Sequence, residues 1–204
     1  MEPDDLWSFE KKARANGCKI IAGIDEAGRG PLAGPVVSAA VILPKEASLP
    51  GIDDSKKLTP KLRIDLYDRL YDVSRAIGIG ITDAPEIDRV NILQATLRAM
   101  AMAVDNLKPQ PDCLLIDGIF TIAADISQEA IKKGDSRSIS IAAASIVAKV
   151  TRDRIMDQVD GLYPEYQFGR HKGYPTRAHR EAIRQHGCCP IHRRTFKGVK
   201  AYER

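Results

Sequence analysis

Four carboxylates stand where this chain can do chemistry: Asp25 and Glu26 in IIAGIDEAGRG, Asp117 in CLLIDG and Asp135 in KKGDSRS. Each ends or flanks an apolar run. KIIAGID and DCLLID read as short buried strands, which places Asp25 and Asp117 where strands end, and in open α/β sheets ligand crevices lie at the carboxyl ends of strands. A group of carboxylates without His or Cys pairs offers hard oxygen donors, suited to Mg²⁺ or Mn²⁺ rather than zinc. Two such ions, roughly 3.5–4 Å apart, activate a water and stabilise the leaving oxygen of a phosphodiester. Asp25 and Glu26 carry a condition: neighbours on a regular strand point to opposite faces, so both serve one site only if the strand ends there, as Gly28 and Gly30 favour. Taken singly, each acid also reads as an ordinary surface or turn residue, with Asp117-Gly118 a turn signal and Gly134-Asp135-Ser136 a helix start.

Beside Asp25, Gly28-Arg29-Gly30 presents backbone N–H groups with little to obstruct them, plus a guanidinium, a combination able to hold a phosphate or sugar edge. The bare triplet is equally a tight turn. Lys56 and Lys57 in DDSKKLTP can reach phosphates near a helix start, or be solvated. FGRHKGYPTRAHR interleaves Arg170, His171, Lys172, Arg177, His179 and Arg180 with Tyr174, a composition that suits a nucleic acid backbone and a stacked sugar or base. HRRTFKGVK adds a second basic cluster.

These residues need a scaffold to position them. Residues 18–25 and 35–43 read as strands joined by AGRGPLAG. In LTPKLRIDLYDRLYD, Thr59 caps a helix, Pro60 takes its first position, and Leu62, Leu66 and Leu70 share a face. Residues 73–82 read as a strand. DAPEIDRVNILQATLRAMAMAVDNLK, with Asp83 and Glu86 in capping-box spacing, predicts one long core-facing helix. A strand then ends at Asp117, residues 119–132 stay ambiguous, and SISIAAASIVAKVTRDRIMDQV is a helix of small residues suited to close packing on a sheet. A last helix spans 177–186 and stops at Gly187. The order predicts an α/β fold, a mixed sheet covered by helices.

Composition narrows the class. The chain has 204 residues, 44% hydrophobic and 28% charged, as expected of one globular domain with a sizeable core. No apolar run approaches the about 18 residues of a membrane span, and an acidic N-terminus without a signal-type stretch predicts a cytoplasmic protein. Cys18 and Cys113 lie in apolar runs, and Cys188 and Cys189 are adjacent, where ordinary disulfide geometry is rarely met. All four are expected to be inert thiols. The net charge is +4, but residues 151–204 hold 12 Lys/Arg against 6 Asp/Glu, which points to a polyanionic partner.

The segments GIDEAGRGPLAGPVVSAAVILP, DDSKKLTPKLR, EIDRVNILQATLRAM, LLIDG, GDSRSISIAAASIVAKVTRDR, HKGYPTRAH and HRRTF together resemble bacterial ribonuclease HII, in that family's order from about residue 20 to 197. The resemblance implies a ribonuclease H-like mixed β-sheet flanked by helices with a small C-terminal helical extension. It is expected to form a single domain over 1–204, with a catalytic core of about 18–160 and a basic helical segment of about 161–204. The implied activity is a monomeric, metal-dependent endonuclease, using Mn²⁺ or Mg²⁺. It would cut the RNA strand of RNA/DNA hybrids and the 5′ side of single ribonucleotides in duplex DNA, leaving 5′-phosphate and 3′-hydroxyl ends. The family's catalytic, metal-holding acids fall on Asp25, Glu26, Asp117 and Asp135. Gly28, Arg29 and Gly30 fall on the loop that senses the ribose 2′-hydroxyl, Tyr174 on the tyrosine that stacks at the following deoxyribose, and Lys56, or its neighbour Lys57, on a phosphate contact. Two positions depart from the family: Gln167 stands where glycine is expected, and Cys188-Cys189 replaces a glycine-proline type turn. The residues alone leave three other readings open: a nuclease of the same fold that is indifferent to ribose, a non-catalytic hybrid-binding module, and a phosphatase-like hydrolase of small phosphates that would not need Tyr174 or the basic tail.

Overall fold

The computed structural model describes residues 5–45, 47–52, 55 and 58–202. Among these residues five strands make one sheet: β1 (Ile21–Ala27), β2 (Val36–Ile42), β3 (Ala76–Thr82), β4 (Cys113–Asp117) and β5 (Ser127–Ile131), in the order β3-β2-β1-β4-β5. The first three are antiparallel neighbours, whereas β4 and β5 run parallel to β1. The sheet is therefore mixed, as expected, and β5 settles the ambiguous stretch after Asp117.

Helices cover both faces. α1 (Ser8–Ala15) precedes the sheet, α2 (Pro60–Val73) follows β2, and α3 (Ala84–Val90) and α4 (Ile92–Asp105) follow β3. α5 (Ile139–Leu162) is the long helix, and α6 (Phe168–His171) and α7 (Arg177–His186) lie beyond it. α5 and α2 bury one sheet face through Leu66, Leu70, Ala142, Ile146 and Val147 against Ala39 and Val41. α4 buries the other through Met100, Ala103 and Val104 against Ala22, Ile24, Leu114 and Ile116. The small residues of α5 let its backbone touch β1: a Cβ on Gly23 would lie 2.1 Å from the carbonyl carbon of Ser140.

Three expectations change. The single helix over 83–108 is two, because Asn91 takes φ +71° and its side-chain oxygen accepts the N–H groups of Leu93 (3.0 Å) and Gln94 (3.1 Å), capping α4 afresh. Leu62 is 37% exposed, so the buried stripe of α2 is Leu66, Tyr67 and Leu70. α1, not foreseen, is anchored by the fully buried Glu10, whose Oε1 accepts Ser138 Oγ–H (2.6 Å) and Ser140 N–H (3.0 Å) at the start of α5, where the helix dipole favours a carboxylate.

Beyond α5, residues 163–202 pack around Tyr166, Phe168, Ile183 and Val199 together with Leu32 and Met156. Gln167 explains the glycine expected there: its φ is +55°, a left-handed conformation in which a side chain costs about 1 kcal/mol. All four cysteines are free thiols, and among the described residues no helix is long and apolar enough to cross a membrane.

Candidate active site

β1 does not stop at Asp25. It continues to Ala27, so strand alternation holds and the strand end expected at the Asp25-Glu26 pair is not found. Odd residues of β1 face α5: Gly23 touches Ser140, and the Asp25 carboxylate accepts a hydrogen bond from Ser145. Even residues face α4, and Glu26 lines a small cavity with Leu93, Thr96 and Met100. The two carboxylates converge because β4 ends first. Ile24 pairs with Ile116, so Asp25 adjoins Asp117, the last residue of β4, and Glu26 projects past the end of that strand. Asp117 Oδ1 accepts the Gly134 N–H at 2.7 Å, which fixes the turn carrying the buried Asp135 against it. Asp25, Glu26 and Asp117 are thus brought together at the end of β4, and the turn hydrogen-bonded to Asp117 carries Asp135.

Their electrostatics show the crowding. The Asp25 carboxyl is held well above the usual carboxylate range, first by burial and then by the negative charges of Glu26 and Asp117. Asp25 Oδ1 also accepts the Glu26 N–H at 2.7 Å. Among the described residues no group of three or more acid, histidine or cysteine side chains is closed enough to hold an ion as it stands. The donor set nevertheless suits a divalent cation. It is all hard oxygen, its members repel one another, and a 2+ ion would relieve that repulsion.

A cleft of about 540 Å³ opens beside the acids, lined by Glu26, Gly28, Arg29, Gly30, Ser55, Ser145, Lys149 and Tyr174. A second cavity of about 190 Å³ continues past Glu26 and Arg29 to Asp117, Gly118, Ile119 and Phe120. A larger groove of about 700 Å³ lies against β3 and α4 and touches none of the four acids. The predicted loop and Tyr174 therefore share one cleft with Glu26, with Arg29 Nη1 3.5 Å from Glu26 Oε1. Lys56 and Lys57 lie outside the described residues.

Several residues the sequence did not single out support this cleft. Ser145 links Asp25 to the buried Ser55 (Oγ to Oγ 2.9 Å), and Lys149 follows it one helical turn later on the same face of α5. Their i, i+4 spacing in SIVAK was the available signal. Arg152 is fully buried, giving Nε–H to Pro35 O (2.9 Å), Nη1–H to Lys172 O (3.0 Å) and Nη2–H to Ala33 O (3.2 Å). HRRTF, read as a basic cluster, is divided: Arg193 is fully buried and His192 behind it is 1% exposed, whereas Arg194 stays on the surface.

The histidines of the basic segment belong to the interior as well. Cys189 N–H donates to His192 Nδ1 (3.0 Å), so the neutral ring carries its proton on Nε2 and donates to His179 Nε2 (3.1 Å). His179 Nδ1–H then donates to Tyr174 O (3.0 Å), tying the tyrosine turn to the core. Burial pushes His179 and His192 each down to about 4. The unfolded chain takes up these protons near pH 6.5 and the folded one only near 4, so this stability is complete above about 6.5 and is lost as pH falls towards 4. The loss expected is on the order of 3 kcal/mol for each histidine. Urea midpoints measured from pH 7.5 to 4.5 should fall more steeply for the native chain than for His179→Gln, and equal slopes would contradict the buried neutral pair.

Comparison with known proteins agrees with this geometry. Residues 22–199 match the family model for ribonuclease HII. Ribonuclease HII of Geobacter sulfurreducens is 58% identical over 197 residues, covering 97% of this chain and 91% of that protein. The crystal structure of ribonuclease H2 from Pyrococcus horikoshii OT3 superposes with TM-score 0.75 at 28% identity, over 90% of this chain and 97% of that one. Bst ribonuclease HIII, solved in complex with Mn²⁺, shares the fold at TM-score 0.67 and 22% identity, over 92% and 70% of the two chains. A mixed sheet with Asp25, Glu26 and Asp117 at the end of β4, matched over nearly its whole length by these relatives, places the chain in the ribonuclease HII family, as a divalent-metal-dependent ribonuclease H endonuclease.

Proposed function

We propose that the enzyme cuts the RNA strand of RNA/DNA hybrids and the 5′ side of a single ribonucleotide in duplex DNA, leaving 5′-phosphate and 3′-hydroxyl ends. Asp25, Glu26, Asp117 and Asp135 would hold the divalent ions, Mn²⁺ or Mg²⁺, which when bound supply a nucleophile at neutral pH and stabilise charge on the phosphate. The observation that carries this reading is the single cleft in which Glu26 is shared between the acids and the wall of Gly28, Arg29, Gly30 and Tyr174. Burial and the charges of Glu26 and Asp117 disfavour a charged carboxylate at Asp25, so positive charge placed beside it relieves the crowding and favours ion capture. Arg29 and Lys149 add cationic donors for the substrate backbone, and Tyr174, 42% exposed, offers a ring for a sugar. Specificity would rest on the 2′-hydroxyl, which DNA lacks.

The test is cleavage of end-labelled duplex DNA carrying one ribonucleotide, beside an all-DNA duplex of the same sequence, with Mn²⁺, with Mg²⁺ and with chelator. Metal-dependent cutting 5′ to the ribonucleotide, with the control intact, is the expected result. Cutting of both duplexes would remove the ribose sensor from the proposal. Binding without a cut would remove the catalytic role of the acids.

A further inference from the structure

Arg193 occupies an unusual position for a guanidinium: fully buried, with four of its N–H groups spent on one loop. Nη2–H donates to Gly28 O (2.5 Å), Nη1–H to Arg29 O (3.0 Å) and Pro31 O (2.8 Å), and Nε–H to Gly34 O (3.0 Å). Only Lys108–Pro109 is cis among the described residues, so the loop's peptides are trans. In a trans peptide the C=O of one residue and the N–H of the next point in opposite directions. Holding the carbonyls of Gly28 and Arg29 inward therefore turns the N–H groups of Arg29 and Gly30 away from Arg193, on the residues that line the cleft.

The guanidinium is delivered by a strap rather than by a helix. Residues 191–193 bind the loop by Gly34 N–H to Ile191 O (2.9 Å) and Arg193 N–H to Leu32 O (2.8 Å). One residue further, the Asp88 carboxylate on α3 accepts Arg194 N–H (2.8 Å), Thr195 N–H (2.9 Å) and Thr195 Oγ1–H (2.6 Å). Phe196 stacks under Arg193, its ring centroid 5.0 Å from Cζ, and packs against Ile87 and Ala95.

We propose that Arg193 is the positioning residue that sets ribose specificity, and that the C-terminal strap held by Asp88 is thereby a working part of the sensor. This rests on the reading that Gly28-Arg29-Gly30 meets the ribose. Arginine is required by geometry, not charge. A planar fork spans four carbonyls spread over seven residues of loop, whereas a lysine ammonium donates from one point and reaches three at most.

Arg193→Lys keeps the charge and removes the fork. Affinity for a duplex with one ribonucleotide and for its all-DNA twin would be measured by fluorescence anisotropy in Ca²⁺, with kcat and KM on the former in Mn²⁺. The expected result is at least a tenfold collapse of the ribonucleotide-to-DNA affinity ratio, with all-DNA binding within twofold of the native enzyme. An unchanged ratio, or equal losses on both duplexes, would overturn the proposal. Should Arg193→Lys fail to fold, Asp88→Ala loosens the strap from the surface and is expected to lower the same ratio about threefold, and an unchanged ratio there would overturn it as well. A native enzyme without preference for the ribonucleotide would instead overturn the reading of the loop on which the proposal rests.

Discussion

Asp25→Asn is expected to lose cleavage by at least about 10³-fold while binding hybrid as tightly as the native enzyme, and to melt at a higher temperature in chelator. The two effects share one cause. In the fold the Asp25 carboxylate is buried, hydrogen-bonded to Ser145 and the Glu26 N–H, and exposed to the charges of Glu26 and Asp117, all of which makes it a good ion ligand and a poor structural residue. Asparagine keeps the accepting oxygen and offers an N–H₂ to the neighbouring carboxylates. It thereby relieves repulsion worth about 1 kcal/mol, or roughly 2–4 °C in Tm for a chain of this size. Mn²⁺ should raise the Tm of the native protein more than that of the variant, since an ion that binds only the folded state stabilises it by mass action. Melts with and without Mn²⁺, run beside the cleavage assay, check this without depending on activity. An Asp25→Asn protein that is less stable in chelator, yet shifted as far by Mn²⁺, would contradict the assignment. Loss of hybrid binding in step with cutting would contradict the division between ion-holding acids and substrate-holding loop.

The acids were legible because apolar runs announce strands, and residues ending such runs emerge together wherever parallel neighbours align; the Ile24–Ile116 register does that for Asp25 and Asp117. The manner in which Glu26 joins them was not legible. It depends on β4 being shorter than β1, a fact of pairing between residues 92 positions apart and not of either segment alone. Asn91 shows a similar limit. Its neighbours keep an unbroken helical periodicity, and only its own positive φ and double capping divide α3 from α4. The arginines misled in the opposite direction, since basic residues near an aromatic read as a polyanion-binding face whether they point out or in. Arg152 and Arg193 point in because the Gly28–Pro35 loop leaves its carbonyls unpaired by any strand, and buried carbonyls need donors. The same rule puts His179 beneath Tyr174, where a ring N–H satisfies the tyrosine carbonyl.

That carbonyl-lined loop also decides how its two glycines respond to the same substitution. Gly28→Ala is expected to cost about 3 kcal/mol or more, lowering Tm by about 10 °C, and to reduce kcat/KM by at least about 10²-fold, whereas Gly30→Ala should melt within about 2 °C of the native enzyme. At Gly28 φ is +100°, and an added Cβ would lie 2.1 Å from Arg152 Nε and 2.7 Å from Pro35 O. Arg152 cannot swing aside, because its three donor nitrogens are tied to Pro35, Ala33 and Lys172. The loop must therefore move, and with it the donors that face the cleft. At Gly30 the nearest atom to an added Cβ is Tyr174 Cε1 at 3.8 Å, an ordinary contact. The methyl group would stand in the gap between loop and tyrosine that a nucleotide's sugar must enter. Gly30→Ala should therefore raise KM several-fold on the single-ribonucleotide duplex and leave kcat nearly unchanged. Melting curves and initial-rate kinetics on the two variants test the contrast. Equal destabilisation by both would mean that the loop is held by its own conformation rather than by the buried arginines, and a Gly30→Ala enzyme with native KM would take the sugar out of the gap beside Tyr174.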